Sequence, residues 1–228
     1  MRINRFFSDQ GFCSRREADK LIEAGRVKIN NKVAVLGDQV GETDSVSLDG
    51  KIVSFNPPKL YLAYHKPLGI TCTTDQRIDG NIIDAIRHKE RIYPIGRLDK
   101  DSTGLILLTN DGDIVNRILR AENGHEKEYQ VEVNGPLNDE FIIKMSAGVD
   151  IEDHVTLPCK IKQTGKNRFT IILTEGKNRQ IRRMCEVFRY TVKHLKRVRV
   201  MNIQLGGLKE GQWRELTPAE LKDLQAKL

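Results

Sequence analysis

The sequence predicts an α+β protein that has a small N-terminal unit and a larger second unit. Two helical patterns followed by short strands fill the first quarter, and strands with connections of varied length alternate irregularly with helices after it. Such varied connections favour an α+β sheet over a regular βαβ repeat. Between the two parts, Pro57 and Pro58 remove two amide donors and hold the chain extended. We therefore expect units at residues 1–55 and 60–228, joined by a linker at 56–59.

The first unit begins with two helices. Ser14 and Glu17 form a capping-box pattern, in which the hydroxyl and the carboxylate satisfy free amides at the start of the second helix. Gly25 is the expected end of this helix. Alternating apolar residues then predict short strands at 27–29, 33–35, 46–48 and 52–53.

The second unit mixes both kinds of element. Apolar runs and helical periodicity identify five strands and five helices. The predicted strands are 60–64, 104–109, 129–133, 169–173 and 191–200. The predicted helices are 82–88, 114–120, 138–146, 178–188 and 218–227.

Composition narrows the class of protein. Of the 228 residues, 39% are hydrophobic, which is enough for one good core and a small module, and the net charge is +7. The four cysteines are scattered without a CxxC pair, so neither a zinc site nor a disulfide framework is expected. The N-terminus lacks the apolar region of a signal peptide, and no apolar run is long enough to span a membrane. We expect a cytoplasmic protein without a membrane partner.

Two basic segments indicate a polyanionic partner. Residues 177–199 contain nine basic residues and one acid, Glu186, for a formal charge of +8 that exceeds the +7 of the whole chain. A segment of this kind repels itself unless an anion balances it. The first unit carries a second basic set, at Arg15, Arg16, Lys20, Arg26 and Lys28. Acids alternate with this second set, so its charge alone favours a solvated helix face over an RNA contact.

A charged loop at residues 97–103 lies between two glycines and leads into a wholly apolar strand. Polar groups held at the end of a buried strand are well placed for chemistry, although a salt-bridged loop has the same pattern. Asp99 and Asp101 could also be a glycosidase pair, because the separation that such a pair needs is spatial. A metal site is disfavoured because basic residues flank Asp99 and no histidine accompanies it. The stretch His125–Tyr129 begins like HExxH but has tyrosine at the second histidine position.

The loop GRLDKDSTGL at 96–105 closely resembles the catalytic motif of RsuA-type pseudouridine synthases. Three further matches follow the order of that family: KPLG at 66–69, HEKEY at 125–129 and EGKNRQIRRM at 175–184. Residues 11–19 and 24–30 resemble the S4 RNA-binding domain, and this resemblance covers about residues 1–50. One departure is His65, where relatives usually have asparagine. The resemblance implies a catalytic domain built on a mixed, mainly antiparallel sheet with flanking helices.

The resemblance also implies roles for individual residues in converting uridine to pseudouridine. Asp99 would be the nucleophile, Arg182 the cation paired with it, and Arg97 a residue that orients the loop or the RNA. Tyr129 would stack on the base, and its hydroxyl is a candidate acceptor for the C5 proton. The implied RNA contacts are Arg15, Arg16, Lys20, Arg26, Lys28, Lys66, Lys177, Arg179 and Arg183. The reaction needs no cofactor and no metal.

The implied substrate is ribosomal RNA, with the target uridine turned out of its stack. Residues 145–149 and 213–217 are most similar to one subfamily, which implies 23S ribosomal RNA, with a transfer RNA as a second candidate substrate. We expect a monomer. The alternatives are a synthase that acts on 16S ribosomal RNA or transfer RNA, a non-catalytic RNA-binding assembly factor, and a metal-dependent glycosidase or nuclease.

Overall fold

The computed structural model describes residues 1–53, 58–119 and 124–228. The chain forms two compact units. The first comprises Met1–Lys59 with the short pieces Lys89–Arg91 and Asn110–Gly112, and the second comprises the remainder from Leu60 to Leu228. The predicted linker at 56–59 falls partly outside the described residues.

The first unit has two helices and one small sheet. Its four strands form an antiparallel sheet in the order β2-β1-β3-β4. The elements are α1 Ile3–Asp9, α2 Arg15–Glu23, β1 Val27–Ile29, β2 Lys32–Val33, β3 Val46–Leu48 and β4 Lys51–Ile52. Its core is formed by buried side chains from both helices and the sheet, among them Phe7, Ile22 and Val46.

The start of α2 has the capping box that the sequence predicts. The backbone N–H of Glu17 donates to Ser14 Oγ at 3.1 Å, and the Ser14 N–H donates to the Glu17 carboxylate at 2.7 Å. The helix ends before Gly25, whose φ of +69° suits glycine.

Removal of this cap should loosen α2. We expect Ser14→Ala to lower the opening free energy of the helix by about 1 kcal/mol, because one amide at the helix start loses its acceptor. Hydrogen exchange of the α2 amides measures the change. Ser14→Thr keeps a hydroxyl at the same position and should exchange at nearly the wild-type rate. Equal exchange in both variants and the wild type would contradict a stabilising role for the cap.

The second unit is built on a larger mixed sheet. Its main order is β13-β5-β7-β11-β8-β10-β9, with β6 beside β7 and β12 beside β11. The β7–β11 pair is parallel and the other described pairs are antiparallel. The elements are β5 Tyr61–Lys66, α3 Ile82–Ile86, β6 Tyr93–Ile95, β7 Thr103–Thr109, α4 Gly112–Leu119, β8 Lys127–Val133, α5 Asp139–Ala147, β9 Lys160–Gly165, β10 Arg168–Leu173, α6 Gln180–Val187, β11 Val192–Val200, β12 Ile203–Gln204, β13 Trp213–Glu215 and α7 Pro218–Ala226. The predicted α+β class is confirmed.

Local differences from the sequence-based prediction have local causes. The strands β6, β9, β12 and β13 are not predicted from the sequence, because they are short or polar; β9 has one apolar residue, Ile161. Helix α3 ends at Ile86 because Arg87 adopts a left-handed conformation with φ of 51°. The predicted end of α4 at Arg120 lies outside the described residues.

Two apolar clusters fix the sheet around the site. One joins α5 and α6 to β8 and β10, with Phe141, Phe169 and Met184 fully or almost fully buried. Another lies against β7 and contains Leu105 and Ile118. Among the described residues, no helix is long and apolar enough to cross a membrane.

Candidate active site

The charged loop is held between buried elements of the second unit. It enters β7, where residues 105–108 are at most 2% exposed. The Ser102 N–H donates to the Asp99 carbonyl at 3.1 Å, and the Gly69 N–H donates to the Lys100 carbonyl at 2.9 Å. These bonds close the turn at Asp99 and tie it to the segment that follows β5.

Asp99 lies at a cavity of about 520 Å³, a volume that suits a nucleoside-sized group. Strand β8 contributes Tyr129 to the same cavity, and the loop contributes Arg97. Asp99 and Tyr129 are half-buried, whereas Arg97 is exposed. Part of the wall is apolar and is formed by Ile95, Leu98, Leu173, Ile181 and Leu195. The structure thus brings together the residues proposed as nucleophile and base contact.

Arg182 contacts Asp101 instead of the expected Asp99. Its Nε lies 3.3 Å from Asp101 Oδ2, and its Nη2 donates to the Asp101 carbonyl at 2.7 Å. Its Nη1 donates to the Val192 carbonyl at 3.2 Å. Among the described residues no ion pair joins Arg182 to Asp99, so the expected pair is not formed in this structure. Arg182 is only 7% exposed, and it links α6, β11 and the charged loop.

A second arginine also engages Asp101. Arg179 precedes α6 in a left-handed conformation with φ of 50°, and its Nη1 lies 3.1 and 3.2 Å from the two Asp101 carboxylate oxygens. Arg179 is exposed and lines the cavity. Asp101 therefore serves as the anchor of the loop, while Asp99 faces the cavity.

The segment that leads into α6 is fixed by a buried carboxylate. Glu175 accepts hydrogen bonds from the Leu157 N–H, His154 Nε2 and Gln180 Nε2 at 2.8–2.9 Å. Burial alone would raise the pKa of Glu175, but these hydrogen bonds hold it below its usual value. Gln180 Oε1 in turn accepts from the Lys177 N–H at 3.0 Å. Lys177 is consequently presented, exposed, at the cavity.

Lys66 corrects another sequence-based expectation. It is 0% exposed, and its Nζ donates to the Pro67 and Ile70 carbonyls at 2.8 and 2.9 Å. Burial lowers the pKa of this ammonium group. The side chain stabilises a turn and cannot reach RNA. The neighbouring His65 is also buried, with Nδ1 2.8 Å from the Leu208 carbonyl.

The remaining predicted RNA contacts divide into engaged and exposed residues. Arg183 donates to the Ile151 carbonyl and lies 2.5 Å from Asp153 Oδ1, so it is held within the protein and does not line the cavity. Arg26 forms an exposed pair with Asp49. The other four in the first unit are exposed: Arg15, Arg16, Lys20 and Lys28.

Arg197 and Lys127 line the cavity, although the sequence analysis did not assign either to the site. Arg197 is 4% exposed, and its Nε donates to the Leu105 carbonyl at 2.7 Å. Burial and the charge of Arg197 lower the pKa of Lys127. Side chains alternate between the two faces of β11, and this alternation could have identified Arg197, because it occupies an inward position like Leu195.

A half-buried aspartate and a tyrosine line a nucleoside-sized cavity on a mixed sheet with basic residues around it, and this arrangement suits an enzyme that acts on RNA. The family of RNA pseudouridylate synthases matches residues 60–187, and the S4 domain matches residues 1–46. This chain belongs to the RNA pseudouridylate synthase family. It therefore isomerises uridine to pseudouridine in RNA.

Similar proteins cover almost all of the chain. The dual-specificity RNA pseudouridine synthase RluF of Escherichia coli (strain K12) is 51% identical over 98% of this chain and 78% of its own length. Ribosomal large subunit pseudouridine synthase B of Bacillus subtilis (strain 168) is 38% identical over 99% and 96%. A crystal structure of a pseudouridylate synthase matches with a TM-score of 0.72 and 27% identity, covering 98% and 99% of the two chains. RluF represents the subfamily that residues 145–149 and 213–217 indicated.

Proposed function

We propose that this protein modifies a specific uridine in 23S ribosomal RNA, with Asp99 as the nucleophile. The observation that carries the proposal is that Asp99 and Tyr129 line one cavity of about 520 Å³. The B. subtilis relative is named for the large ribosomal subunit, which supports the choice of RNA. The E. coli relative is named as dual-specificity, which supports a transfer RNA as a second substrate. We further propose that the protein acts as a monomer in the cytoplasm.

The reaction breaks the N1–C1′ bond, turns the uracil and forms a C5–C1′ bond, while one proton leaves C5 and N1 gains one. Atoms and electrons balance without a cofactor. Asp99 supplies a carboxylate nucleophile at the cavity. The Tyr129 ring stacks on the base, and its hydroxyl relays the C5 proton, releasing its own proton towards N1 as it takes up the one from C5. Arg97 is exposed beside Asp99 and orients the RNA backbone.

RNA capture relies on exposed cations. At the cavity these are Arg97, Lys177 and Arg179. Turning out a nucleotide costs a few kcal/mol, which contacts to phosphates and stacking repay. The exposed cations of α2 in the first unit hold the surrounding RNA.

Removal of the α2 cations should weaken RNA binding in a salt-dependent way. We expect Arg15→Ala with Arg16→Ala to lower the slope of log affinity against log salt by about 2, one for each lost phosphate contact. Filter binding across salt concentrations measures this slope. Lys222→Ala, which removes an exposed charge from α7, is the control and should leave the slope unchanged. An unchanged slope in the double variant would contradict phosphate contacts by α2.

The choice of RNA is tested by tritium release. The purified protein is mixed with transcripts of 23S, 16S and transfer RNA that carry tritium at uridine C5. We expect release of about one equivalent from 23S RNA, because the site turns over one positioned uridine. Release from 16S or transfer RNA alone would overturn the 23S assignment. RNA binding without release from any transcript would support the non-catalytic assembly factor.

A further inference from the structure

Arg197 occupies the centre of the sheet beside the proposed base contact. In the β11–β8 pair it lies opposite Tyr129, and in the β11–β7 pair it lies opposite Gly104. Paired residues on neighbouring strands project from the same face of a sheet. Arg197 and Tyr129 accordingly line the same cavity.

Among the residues that the structure describes, the buried guanidinium of Arg197 has no counter-charge. Its side chain is 4% exposed; within this part of the chain neither Nη1 nor Nη2 has a hydrogen-bond partner, and Nη2 is inaccessible to solvent whereas Nη1 is not. Within the described ranges, Nε alone of its three nitrogens has a hydrogen-bond acceptor, and no carboxylate lies within 4 Å. Lys127 adds a second cationic group to the same wall. A buried charge without an acceptor is costly, so this arrangement suits a ligand that supplies one.

The position of Arg197 favours the base over a phosphate. The phosphate-binding candidates Arg97, Lys177 and Arg179 are exposed, whereas Arg197 is buried next to Tyr129. When the N1–C1′ bond breaks, the bonding pair stays on the uracil, and the negative charge spreads over N1 and the O2 and O4 carbonyl oxygens. Charge-assisted donors held in a dry site stabilise such developing charge strongly.

We propose that Arg197 is a further catalytic residue, which donates a hydrogen bond from its guanidinium Nη1 to a carbonyl oxygen of the target uracil. It stabilises the anionic base from cleavage of N1–C1′ until the C5=C6 π pair, driven by the N1 lone pair, forms C5–C1′. Arg197 donates hydrogen bonds without transferring a proton, and the Tyr129 hydroxyl relays the proton released from C5 towards N1. This inference rests on the proposed function of the cavity.

The first test separates catalysis from RNA binding. We expect Arg197→Met to slow single-turnover tritium release by about 10²–10³-fold, as for the loss of one donor to a developing oxyanion. Its affinity for RNA and its salt slope should remain near those of the wild type. The control is Arg199→Gln, which removes a guanidinium from the same strand. Arg199 pairs with Glu126 and Glu128 and does not line the cavity. This variant should lose stability but keep its rate.

The second test swaps the acceptor atom. RNA with 2-thiouridine or 4-thiouridine at the target, labelled at C5, replaces one carbonyl oxygen by sulfur, a weak acceptor. When sulfur replaces the carbonyl oxygen that Arg197 contacts, the rate of the wild type should fall about tenfold. The rate of Arg197→Met should fall much less, because this variant already lacks the hydrogen bond to that carbonyl. A merely structural role of Arg197 would leave the two losses equal for both thio-RNAs.

Two results would overturn the proposal. One is an equal loss of rate in the wild type and in Arg197→Met on both thio-RNAs. The other is weaker RNA binding by Arg197→Met with a lower salt slope, which would indicate that Arg197 contacts a phosphate. If Arg197→Met does not fold, Arg197→Lys enters the same comparison, since lysine keeps the charge but not the geometry of the donors. Failure of the proposed function is distinguishable, because the wild type would then release no tritium from any RNA.

Discussion

Replacement of Asp99 by asparagine is expected to lower tritium release by about 10⁴-fold or more, because an amide cannot act as the nucleophile. The fold should be retained. The Asp99 carboxylate faces the cavity, and the bond that closes its turn uses the backbone carbonyl, which asparagine also provides. Single-turnover tritium release and a thermal melt measured on the same sample separate chemistry from stability.

Asp101→Asn is the matched control for this prediction. This variant makes the same carboxylate-to-amide change two residues further along the loop. Asp101 pairs with Arg179 and Arg182, whereas the Asp99 carboxylate faces the cavity. We expect a loss of stability and a much smaller loss of rate than in Asp99→Asn. Unchanged release in Asp99→Asn would refute its role, and a larger loss in Asp101→Asn would transfer that role to Asp101.

Gly104→Ala is expected to destabilise the second unit by at least about 3 kcal/mol. An added Cβ would lie 2.2 Å from the Arg197 carbonyl oxygen and 2.6 Å from its amide nitrogen. Both are backbone atoms of the central strand, so neither can move aside without disturbing the β7–β11 pair. The φ of +107° at Gly104 adds strain for any other residue. The melting temperature should fall by about 6–12 °C.

Gly207→Ala provides the matched control. A Cβ at Gly207 would meet nothing within 4 Å, and its φ is not positive. We expect a melting temperature within about 2 °C of the wild type, as is usual for surface substitutions. If the two variants melt alike, the close approach of β7 to β11 does not constrain residue 104.

The sequence predicted those parts of the site that depend on local pattern. The apolar run after Gly104 identified a buried strand, and the motif around Asp99 identified the loop in front of it. The partner of Arg182 could not be predicted from the sequence, because Asp99 and Asp101 are two residues apart in the same loop. Only the folded backbone determines which of the two carboxylates reaches α6. The burial of Lys66 could not be predicted from the sequence either, since it depends on hydrogen bonds from Lys66 to carbonyls of the turn that follows.

The pairing of Gly104 with Arg197 also bears on how the enzyme is made. The strands β7 and β11 are neighbours in the sheet but are separated by more than eighty residues of sequence. During synthesis β7 leaves the ribosome long before its partner exists, and long-range pairing of this kind forms slowly. The loop that carries Asp99 then lacks both β11 and the arginines that anchor it. A nascent chain is thus unable to complete the site around Asp99 until α6 and β11 have also been synthesised.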